Sequence, residues 1–382
     1  MKKTVLVLVF NNLKVDARVM RQINFLTQTY HVTAFCFDAN PTQDFEVIKA
    51  SKTKLTPFRK IILSFFLLLR SYKIAYKILH DYGQHVASLK NKKFDIVIAN
   101  DAETLPLAFD IAVKNTKVYF DAHEFAPRQF EDRLYWRIFF QRFYTDICNR
   151  FIPKVSGMST INQGLADAYE KSFGLKPLII TNASGYYDLS PKLRESFPFK
   201  LVHHGIFTVS RSPELMIDLI EMLDDRFTLD LIYMVPDGAS AKTKRYFEEF
   251  KIRATKTGKI KVLPALRNDE VVSFLHEHYD IGIILVPPIN FNYENGLPNK
   301  LFECIQARLG MAVGPLREIA SVTNKYNIGV VSNGFSPVDL AAKLMPLTLQ
   351  DVSNFKVNAG NAAREMNAQY NKELFLAALQ EL

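Results

Sequence analysis

The segment TVLVLVFNNLKVDARVMRQINFLTQTYHVTAFCF (residues 4–37) carries a complete strand–helix–strand pattern. The apolar run at 4–10 is typical of a strand that is buried on both faces, and residues 31–37 repeat that pattern. Between them, apolar residues at 15–29 recur with helical spacing. Strands that are joined by a helix of this length lie parallel in one sheet. The segment therefore predicts an α/β fold.

The alternation continues along the chain and then restarts. In the first half, a helix is predicted at 105–113 and further strands at 95–99, 117–120, 157–160 and 177–181. After a region rich in helix and strand breakers at 184–199, strands are predicted at 200–203, 227–234, 260–263, 281–286, 312–313 and 330–331, with a helix at 213–223. The pattern predicts two Rossmann-like, doubly wound domains at 1–190 and 198–365. A long final helix is predicted from about 362, and residues 366–382 form a C-terminal helix that can cross back to the first domain.

Composition excludes several protein classes. The chain has 382 residues, of which 48% are apolar and 23% charged, as in an ordinary globular protein. Cys36, Cys148 and Cys304 are widely spaced and form no CxxC pair, so we expect a reducing cytosol and neither a disulfide framework nor a zinc site. The apolar run at 61–69 is about half of the ~20 residues that a membrane span needs. The first apolar run ends without a cleavage site, so no secretory signal is expected.

Charge is concentrated in the first half. The formal net charge is +9; residues 1–200 contribute +11 and residues 201–382 contribute −2. Residues 51–80 contain seven basic residues and no acid, and four of these cations share one side of a helix whose other residues are Ile, Leu and Phe: Arg59, Arg70, Lys73 and Lys77. This pattern predicts a basic amphipathic helix on an anionic membrane surface. The alternative is a helix that packs its apolar side on the sheet with its charges in water, and both can hold together.

Nucleic acid is a disfavoured partner, because no recognition-helix, RNP or zinc-finger pattern accompanies the basic residues. In doubly wound sheets, ligands bind at the carboxyl ends of strands, where the topology switches. With two such domains, we expect the ligand site in the cleft between them.

The segment NYENGLPNKLFECIQARLG (292–310) carries the strongest chemical signal. It follows the predicted strand at 281–286, and the breakers at 296–298 indicate a tight loop. Asn299 is predicted to be the N-cap of a helix at 300–307. The positive end of that helix would point from the end of a strand into the cleft.

Two side chains add to this helix end. Lys300 supplies a positive charge, which suits a phosphate together with the backbone N–H groups and the dipole. Glu303, one turn further on, suits hydrogen bonds from ribose hydroxyls. The pair predicts a nucleoside diphosphate site; the alternative is an ordinary capped helix with a surface Lys and Glu.

The segment LPNKLFE (297–303), followed by Ala307, resembles the donor-site loop and helix of GT-B glycosyltransferases, close to family 4. That family is retaining and uses nucleotide sugars, and its fold is two Rossmann-like domains that face a central cleft. The family pattern has two glutamates eight positions apart. The second matches Glu303, but the first falls on Asn295, and Glu294 is out of register by one. The role of that first glutamate, which is to hold the donor sugar, would pass to the uncharged Asn295.

Other segments resemble the family in order and spacing. FDAHEFAP (120–127) implies that His123 contacts the donor sugar near its reacting carbon. HHGIFTVSRSPELMI (203–217) implies that Gly205 and Arg211 face the diphosphate, although the usual Arg-Gly or Lys-Gly pair is missing. The remaining similar segments are VDARVMRQINFL (15–26), NDAETLPLA (100–108), STINQGLADAY (159–169), ITNA (180–183) and KVLPALRNDEVVSFLHEHYDIGI (261–283).

Metal and histidine patterns predict little further chemistry. Asp101, Asp121 and Glu124 with His123 have poor metal spacing, and the resemblance implies diphosphate binding without a required metal. We therefore predict no metal and no cofactor beyond the nucleotide sugar, which is a substrate. The remaining histidines of the second domain are interpreted as structural: His203, His204, His276 and His278.

These observations predict a glycosyltransferase at the cytosolic, inner face of the cell membrane. It would move a sugar from a nucleoside diphosphate sugar to a lipid-linked or other glycan acceptor in polysaccharide assembly, with retention as the resemblance implies. The sugar would be positioned by His123 and Asn295 and the ribose held by Glu303. The diphosphate would be bound by Gly205, Arg211, Lys300 and the amides of Asn299, Lys300, Leu301 and Phe302.

Two alternatives remain. One is a nucleotide-sugar 2-epimerase, which also uses two Rossmann-like domains. The other is a non-catalytic membrane-surface protein on a degenerate transferase fold. Asn295, and Arg308 at a position where the family has glycine, favour the second alternative; Gly310 also stands where the family has proline.

Overall fold

The computed structural model describes residues 2–40, 42–236 and 238–382. The chain divides into two compact units. Unit 1 contains the residues up to Thr181 together with 290–292 and 371–382, and unit 2 contains 182–289 and 293–370. The division falls at Thr181 and Asn182, before the boundaries of 190 and 198 that the breakers suggested, and residues 366–370 stay with unit 2.

Unit 1 is built on a parallel sheet. Within its described residues the sheet has seven strands in the order β3-β2-β1-β4-β5-β6-β7. The strands are β1 Thr4–Leu8, β2 His31–Cys36, β3 Glu46–Lys49, β4 Ile96–Asn100, β5 Lys117–Ala122, β6 Gly157–Thr160 and β7 Leu178–Ile179. The order reverses between β1 and β4, so their carboxyl ends form a topological switch point.

Helices cover this sheet. They are α1 Ala17–Thr27, α2 Pro57–Leu68, α3 Tyr72–Leu79, α4 Gly83–Lys92, α5 Leu105–Ile111, α6 Leu134–Phe139, α7 Gln141–Phe151 and α8 Gln163–Phe173. Local sequence explains their starts: the Asp16 side chain accepts a hydrogen bond from Val19 N at 3.1 Å and caps α1, and Thr56 followed by Pro57 begins α2.

Unit 2 repeats the architecture. Within the described part its parallel sheet has six strands in the order β10-β9-β8-β11-β12-β13, with the switch between β8 and β11. The strands are β8 Phe199–Ile206, β9 Phe227–Met234, β10 Ile260–Leu263, β11 Ile281–Ile284, β12 Gly310–Val313 and β13 Gly329–Val331. The remaining helices are α9 Leu215–Met222, α10 Ala241–Lys256, α11 Val271–His278, α12 Phe291–Glu294, α13 Asn299–Gln306, α14 Arg317–Lys325, α15 Pro337–Leu344, α16 Leu349–Glu365 and α17 Ala368–Gln380. The predicted pair of doubly wound α/β sheets is confirmed.

The basic segment at 51–80 is not one helix. After α2, Arg70 has a φ of 57°, its N–H donates to Leu67 O at 3.2 Å, and Ser71 N donates to Phe66 O at 2.9 Å. These bonds form a Schellman motif, which ends a helix with a left-handed residue. Arg59 therefore lies on α2, Lys73 and Lys77 lie on α3, and Arg70 lies in the turn between them, so the single stripe predicted for them is wrong.

The predicted long final helix is also interrupted. It is two helices, α16 and α17, because the Asn367 side chain donates hydrogen bonds to Ala363 O at 3.0 Å and Arg364 O at 2.8 Å. An Asn that bonds to the backbone in this way competes with helix continuation. Residues 371–382 pack on unit 1, where the ring of Phe375 lies 5.6 Å from that of Tyr119.

Across the described ranges, no helix is long and apolar enough to cross a membrane.

Candidate functional site

In unit 2, the end of β8 lies against the start of α13. Gly205 has a φ of 130°, and a Cβ built there would lie 3.6 Å from both Cε and Nζ of Lys300. A positive φ favours glycine, and the missing side chain leaves the lysine room beside the backbone. The predicted partners Gly205 and Lys300 are thus in contact.

Lys300 is a buried cation, with 9% of its surface exposed. Its Nζ lies 3.2 Å from Nε2 of His203, whose Nδ1 lies 2.9 Å from Ile283 O. The carbonyl requires a proton on Nδ1, so Nε2 accepts from the ammonium. Burial, followed by the charge of Lys300, holds the pKa of His203 well below its usual range.

Burial, followed by the nearby positive charge of Arg211, lowers the pKa of Lys300 to about 7. Arg211 is half-buried, and its guanidinium carbon lies 5.9 Å from the centre of the Tyr293 ring. A bound anion relieves the cost of holding a charged Lys300 beside a second cation. The charges of this arrangement suit a phosphate group.

Glu303, one turn further along α13, is paired with His204. Its Oε2 lies 2.7 Å from His204 Nε2, and its side chain is 24% exposed. The adjacent histidines at the end of β8 therefore orient the two charged residues of α13, Lys300 and Glu303. The sequence predicts structural roles for both histidines, whereas the structure pairs them with Lys300 and Glu303. Their position before Gly205, at the end of a central strand, is the signal for a role in the site.

The other residues predicted at this helix end are only partly available to a ligand. Pro298, not Asn299, is the N-cap, and Asn299 Oδ1 accepts a hydrogen bond from Asn182 Nδ2 at 2.7 Å. The Leu301 N–H donates to Pro298 O at 3.0 Å, so this predicted anion donor is already used within the turn. The side chains of Leu301 and Phe302 are buried in the core, so only their backbone could face a ligand. Asn295 is 3% exposed.

Arg308, where the resembled family has glycine, has a structural explanation. Its φ is 60°, the left-handed conformation that favours glycine after a helix. The residue is 1% exposed. Its guanidinium donates hydrogen bonds to four carbonyls: Leu189 O at 3.1 Å, Ile305 O at 3.3 Å, Gln306 O at 2.7 Å and Tyr187 O at 2.6 Å.

These bonds tie the segment after Thr181 to the end of α13 and explain why residues 182–198 belong to unit 2. Arg308 thereby compensates the strain of its own backbone. It is no sign of a degenerate site.

In unit 1, a second cluster lies at the ends of β4 and β5. His123 lies between two carboxylates: Nε2 is 3.3 Å from Asp121 Oδ2, and Nδ1 is 3.3 Å from Asp101 Oδ2. The Asp101 carboxylate also accepts the His123 N–H at 3.1 Å. The cluster fixes the imidazole ring at the carboxyl ends of β4 and β5, one strand away from the switch point.

Asp121 is the buried centre of that cluster. It accepts hydrogen bonds from Gln22 Nε2 at 2.9 Å, Ser159 Oγ at 2.7 Å and Arg18 Nη2 at 3.3 Å. Burial alone would raise the pKa of this carboxyl, but the charge of Arg18 and the bond from His123 hold the pKa well below its usual range. Asp121 therefore remains ionised and stabilises His123 as a hydrogen-bond donor.

Asp101 has a strained backbone, with φ 64° and ψ 157°. Such a conformation costs about 1–3 kcal/mol for a residue with a side chain, and such residues concentrate at functional sites. The Asp101 N–H donates to Asp121 O at 3.0 Å, which holds the strained residue at the end of β4.

Across the described residues, no group of three or more His, Cys, Asp and Glu side chains is arranged to hold a metal ion. The expectation that the reaction needs no metal stays a prediction.

Comparison with protein-family models and with curated protein sequences gave no match. Comparison with solved structures places the fold among GT-B glycosyltransferases. HepE of Anabaena, solved in complex with UDP, matches with a TM-score of 0.68 at 13% identity over 100% of both chains. Sucrose-phosphate synthase of Thermosynechococcus elongatus matches with 0.68 at 9% identity, over 100% of this chain and 98% of its own. WaaG, a glycosyltransferase involved in lipopolysaccharide biosynthesis, matches with 0.63 at 15% identity over 98% of both chains.

Proposed function

We propose that the chain is a retaining glycosyltransferase that moves a sugar from a nucleoside diphosphate sugar to a glycan or lipid-linked acceptor. The observation that carries the proposal is the buried Lys300 beside Gly205, with its pKa lowered to about 7 by burial and by Arg211. A buried cation of this kind is costly unless an anion binds it. The fold shared with proteins solved with UDP supports a uridine diphosphate sugar as the first donor to test.

In this proposal, unit 2 stabilises the leaving group. The bond between the anomeric carbon and the β-phosphate oxygen breaks, and negative charge develops on the diphosphate. Lys300 and Arg211 stabilise that charge, and it grows as the reaction proceeds, so their effect is largest in the transition state. Glu303, held by His204, accepts hydrogen bonds from the ribose hydroxyls.

The proposal assigns the sugar to His123 and Asn295, as the resemblance implies. His123 donates a hydrogen bond to a sugar hydroxyl from Nδ1, which exchanges its 3.3 Å contact with Asp101 for the sugar. Asn295 holds another hydroxyl. The acceptor oxygen attacks the face from which the diphosphate departs, and its proton passes to the departing phosphate oxygen. Retention follows without a protein nucleophile.

Nucleotide binding tests the donor assignment. UDP, GDP and ADP, each free and as a hexose conjugate, are titrated calorimetrically into the full chain, into Lys300→Met and into Lys256→Met. Lys256 is an exposed lysine at the end of α10 and serves as the matched control. We expect one nucleotide to bind the wild type and the control alike, and Lys300→Met to bind it at least tenfold more weakly. Equal affinity in all three proteins would exclude this site.

We further propose that unit 1 docks on the anionic inner face of the cell membrane. One face of α2 exposes apolar residues: Phe58 is 71% exposed, Ile61 69% and Phe65 56%. Helix α6, which packs against α2, adds Leu134 and Ile138 at 63% and 50%. Exposed cations surround this apolar surface: Lys60, Arg70, Lys73, Lys77, Arg133 and Arg137.

Apolar side chains flanked by cations suit a lipid surface, at about 1 kcal/mol per Lys or Arg near the headgroups. The test is cosedimentation with two kinds of vesicle. One is phosphatidylcholine alone, and the other contains phosphatidylglycerol at a mole fraction of about 0.3. We expect binding to the anionic vesicles only, and loss of binding in Phe65→Asp. Ile252→Asp, at a 58% exposed apolar residue of α10, is the control that retains binding. Equal binding by Phe65→Asp and wild type would contradict membrane docking by α2.

A further inference from the structure

Unit 1 contains a ligand-sized cavity that the site described above does not use. Its volume is about 330 Å³, within the range of small-molecule pockets. Aromatic side chains form much of its wall: Phe10, Phe37, Tyr82, Trp136, Phe140 and Tyr144. Several of them pack together, with ring centres 4.6 Å apart for Phe10 and Tyr82 and 6.1 Å apart for Trp136 and Tyr144.

Four polar side chains interrupt the aromatic wall: Lys52, Thr53, His80 and Glu103. The buried Nε2 of His80 has no hydrogen-bond partner among the residues that the structure describes. Burial lowers the pKa of His80 to about 4, so the ring is neutral. A buried unpaired nitrogen costs free energy unless a ligand or water satisfies it.

Glu103 is also neutral near pH 7. Burial, followed by the charges of Asp101 and Glu124, raises its pKa to about 8. A protonated carboxyl both donates and accepts hydrogen bonds. Its backbone is held in place, because Tyr76 Oη donates to Glu103 O at 2.8 Å.

One residue of the cavity wall, Glu103, is close in sequence to the His123 cluster. Glu103 follows Asp101 by two residues, and Asp101 contacts His123 Nδ1 at 3.3 Å. Asp101 is also the strained residue at the end of β4. A ligand held by Glu103 would therefore lie near the group that we assign to the sugar.

We propose that this cavity binds one sugar ring of the acceptor glycan, with Glu103 and His80 bonding to its hydroxyls and the aromatic rings packing on its C–H faces. The inference rests on the proposed function and deepens it by naming the acceptor class. A lipid chain fits the wall less well, because it would leave Glu103 and His80 unpaired. A phosphate fits less well, because the wall sets the Glu103 carboxyl against a single lysine, Lys52.

Trp136 makes the test specific, since it is the one tryptophan of the chain and lines the cavity. Its fluorescence is followed while the full chain is titrated with octyl glycosides of glucose, galactose, mannose, N-acetylglucosamine, rhamnose and heptose. UDP and octanol are titrated in parallel. We expect a saturable change with at least one glycoside and none with octanol or UDP.

Variants separate a binding role from a structural one. Glu103→Ala should weaken glycoside binding at least tenfold, because a site built for a hydroxyl rejects loss of its partner. Glu103→Gln keeps a neutral donor and acceptor and should stay within about threefold of wild type. Glu170→Ala, at an exposed glutamate of α8, is the matched control. The UDP-induced rise in melting temperature should be the same in all four proteins.

The two assignments fail in different ways. If UDP raises the melting temperature but no glycoside changes the fluorescence, or Glu103→Ala binds like wild type, the cavity proposal is overturned and the donor site stands. A fluorescence change with octanol or UDP instead of a glycoside also overturns it. If glycosides bind and no nucleotide does, the donor assignment fails while the cavity proposal holds.

Discussion

Each unit places a polar cluster at the carboxyl ends of central strands of its sheet, and the two clusters have opposite charge. In unit 1, carboxyl groups predominate around His123 at the ends of β4 and β5. In unit 2, Lys300 and Arg211 predominate at the end of β8 and the start of α13. The topology provides the location in both, because the carboxyl ends of parallel strands meet at one edge of the sheet.

The difference shows that the fold provides a location and the side chains determine the ligand. A cationic cluster with a buried lysine favours a diphosphate, whereas carboxyl groups and neutral rings favour hydroxyls. The histidines adapt to each setting. His123 bridges two carboxylates, while His203 accepts a hydrogen bond from an ammonium.

The largest expected effect separates the two clusters by function. Lys300→Ala and His123→Ala should each lower turnover about a hundredfold, the typical loss when one transition-state donor is removed. Only Lys300→Ala should weaken nucleotide binding, since His123 belongs to the sugar. Steady-state kinetics and calorimetric nucleotide titration measure the two effects. If His123→Ala binds nucleotide as poorly as Lys300→Ala, the assignment of the nucleotide to Lys300 and of the sugar to His123 is contradicted.

The next effect concerns the fold of unit 2 alone. Arg308→Ala loses its charge-assisted bonds to four carbonyls and should lower the free energy of unfolding by about 2–3 kcal/mol. Arg308→Gly loses the same bonds but relieves the positive φ, so it should be about 1 kcal/mol more stable than Arg308→Ala. Denaturant unfolding checks both values. If the alanine variant proves as stable as wild type, those bonds do not hold residues 182–198.

A smaller effect tests whether Glu303, the acid in the cationic cluster, binds the ribose. Glu303→Ala should raise the KM for the donor about tenfold, as expected for the loss of hydrogen bonds to ribose hydroxyls. His204→Ala should give part of that loss, because it frees the Glu303 carboxylate to rotate. The comparison of ribose with 2′-deoxyribose donors checks the assignment: the variant should lose the wild-type preference for ribose.

The smallest effect is a pH dependence of nucleotide affinity. The free protein has a Lys300 pKa of about 7, and a bound diphosphate would raise it, so binding takes up a proton above pH 7. Affinity should fall about fivefold between pH 7 and 8, and Lys300→Arg should remove that slope. The other charged groups at the site are Arg211 and Glu303. Calorimetry in buffers of different ionisation enthalpy measures the proton uptake, and none at pH 8 would contradict the pKa.

Much of the fold could be predicted from the sequence. The strands predicted at 157–160, 227–234 and 260–263 coincide with β6, β9 and β10, because buried parallel strands appear as continuous apolar runs. Strand β3 (EVIK, 46–49) was missed, since a short, partly exposed edge strand has no such run. The break at Arg70 was missed because its left-handed conformation depends on hydrogen bonds and not on residue type.

The candidate site was partly predictable. Lys300 and Glu303 follow from a helix that begins after a strand, and Gly205 follows from the family resemblance of its segment. The structure brings Lys300 and Gly205 together. The contacts of His203 and His204 could not be predicted, because they join residues 97 and 99 positions apart. The neutral Glu103 was also unpredictable, since burial, not sequence, raises its pKa.

Arg308 has a consequence for how motifs are interpreted. At that position the helix end requires a dihedral angle, and glycine is only the simplest residue that supplies it. A long cation surrounded by main-chain oxygens supplies the same angle and fastens a neighbouring segment as well. A sequence motif that requires glycine at this position would reject this chain, although its backbone has the conformation that the motif encodes. A motif defined by the backbone conformation would accept it.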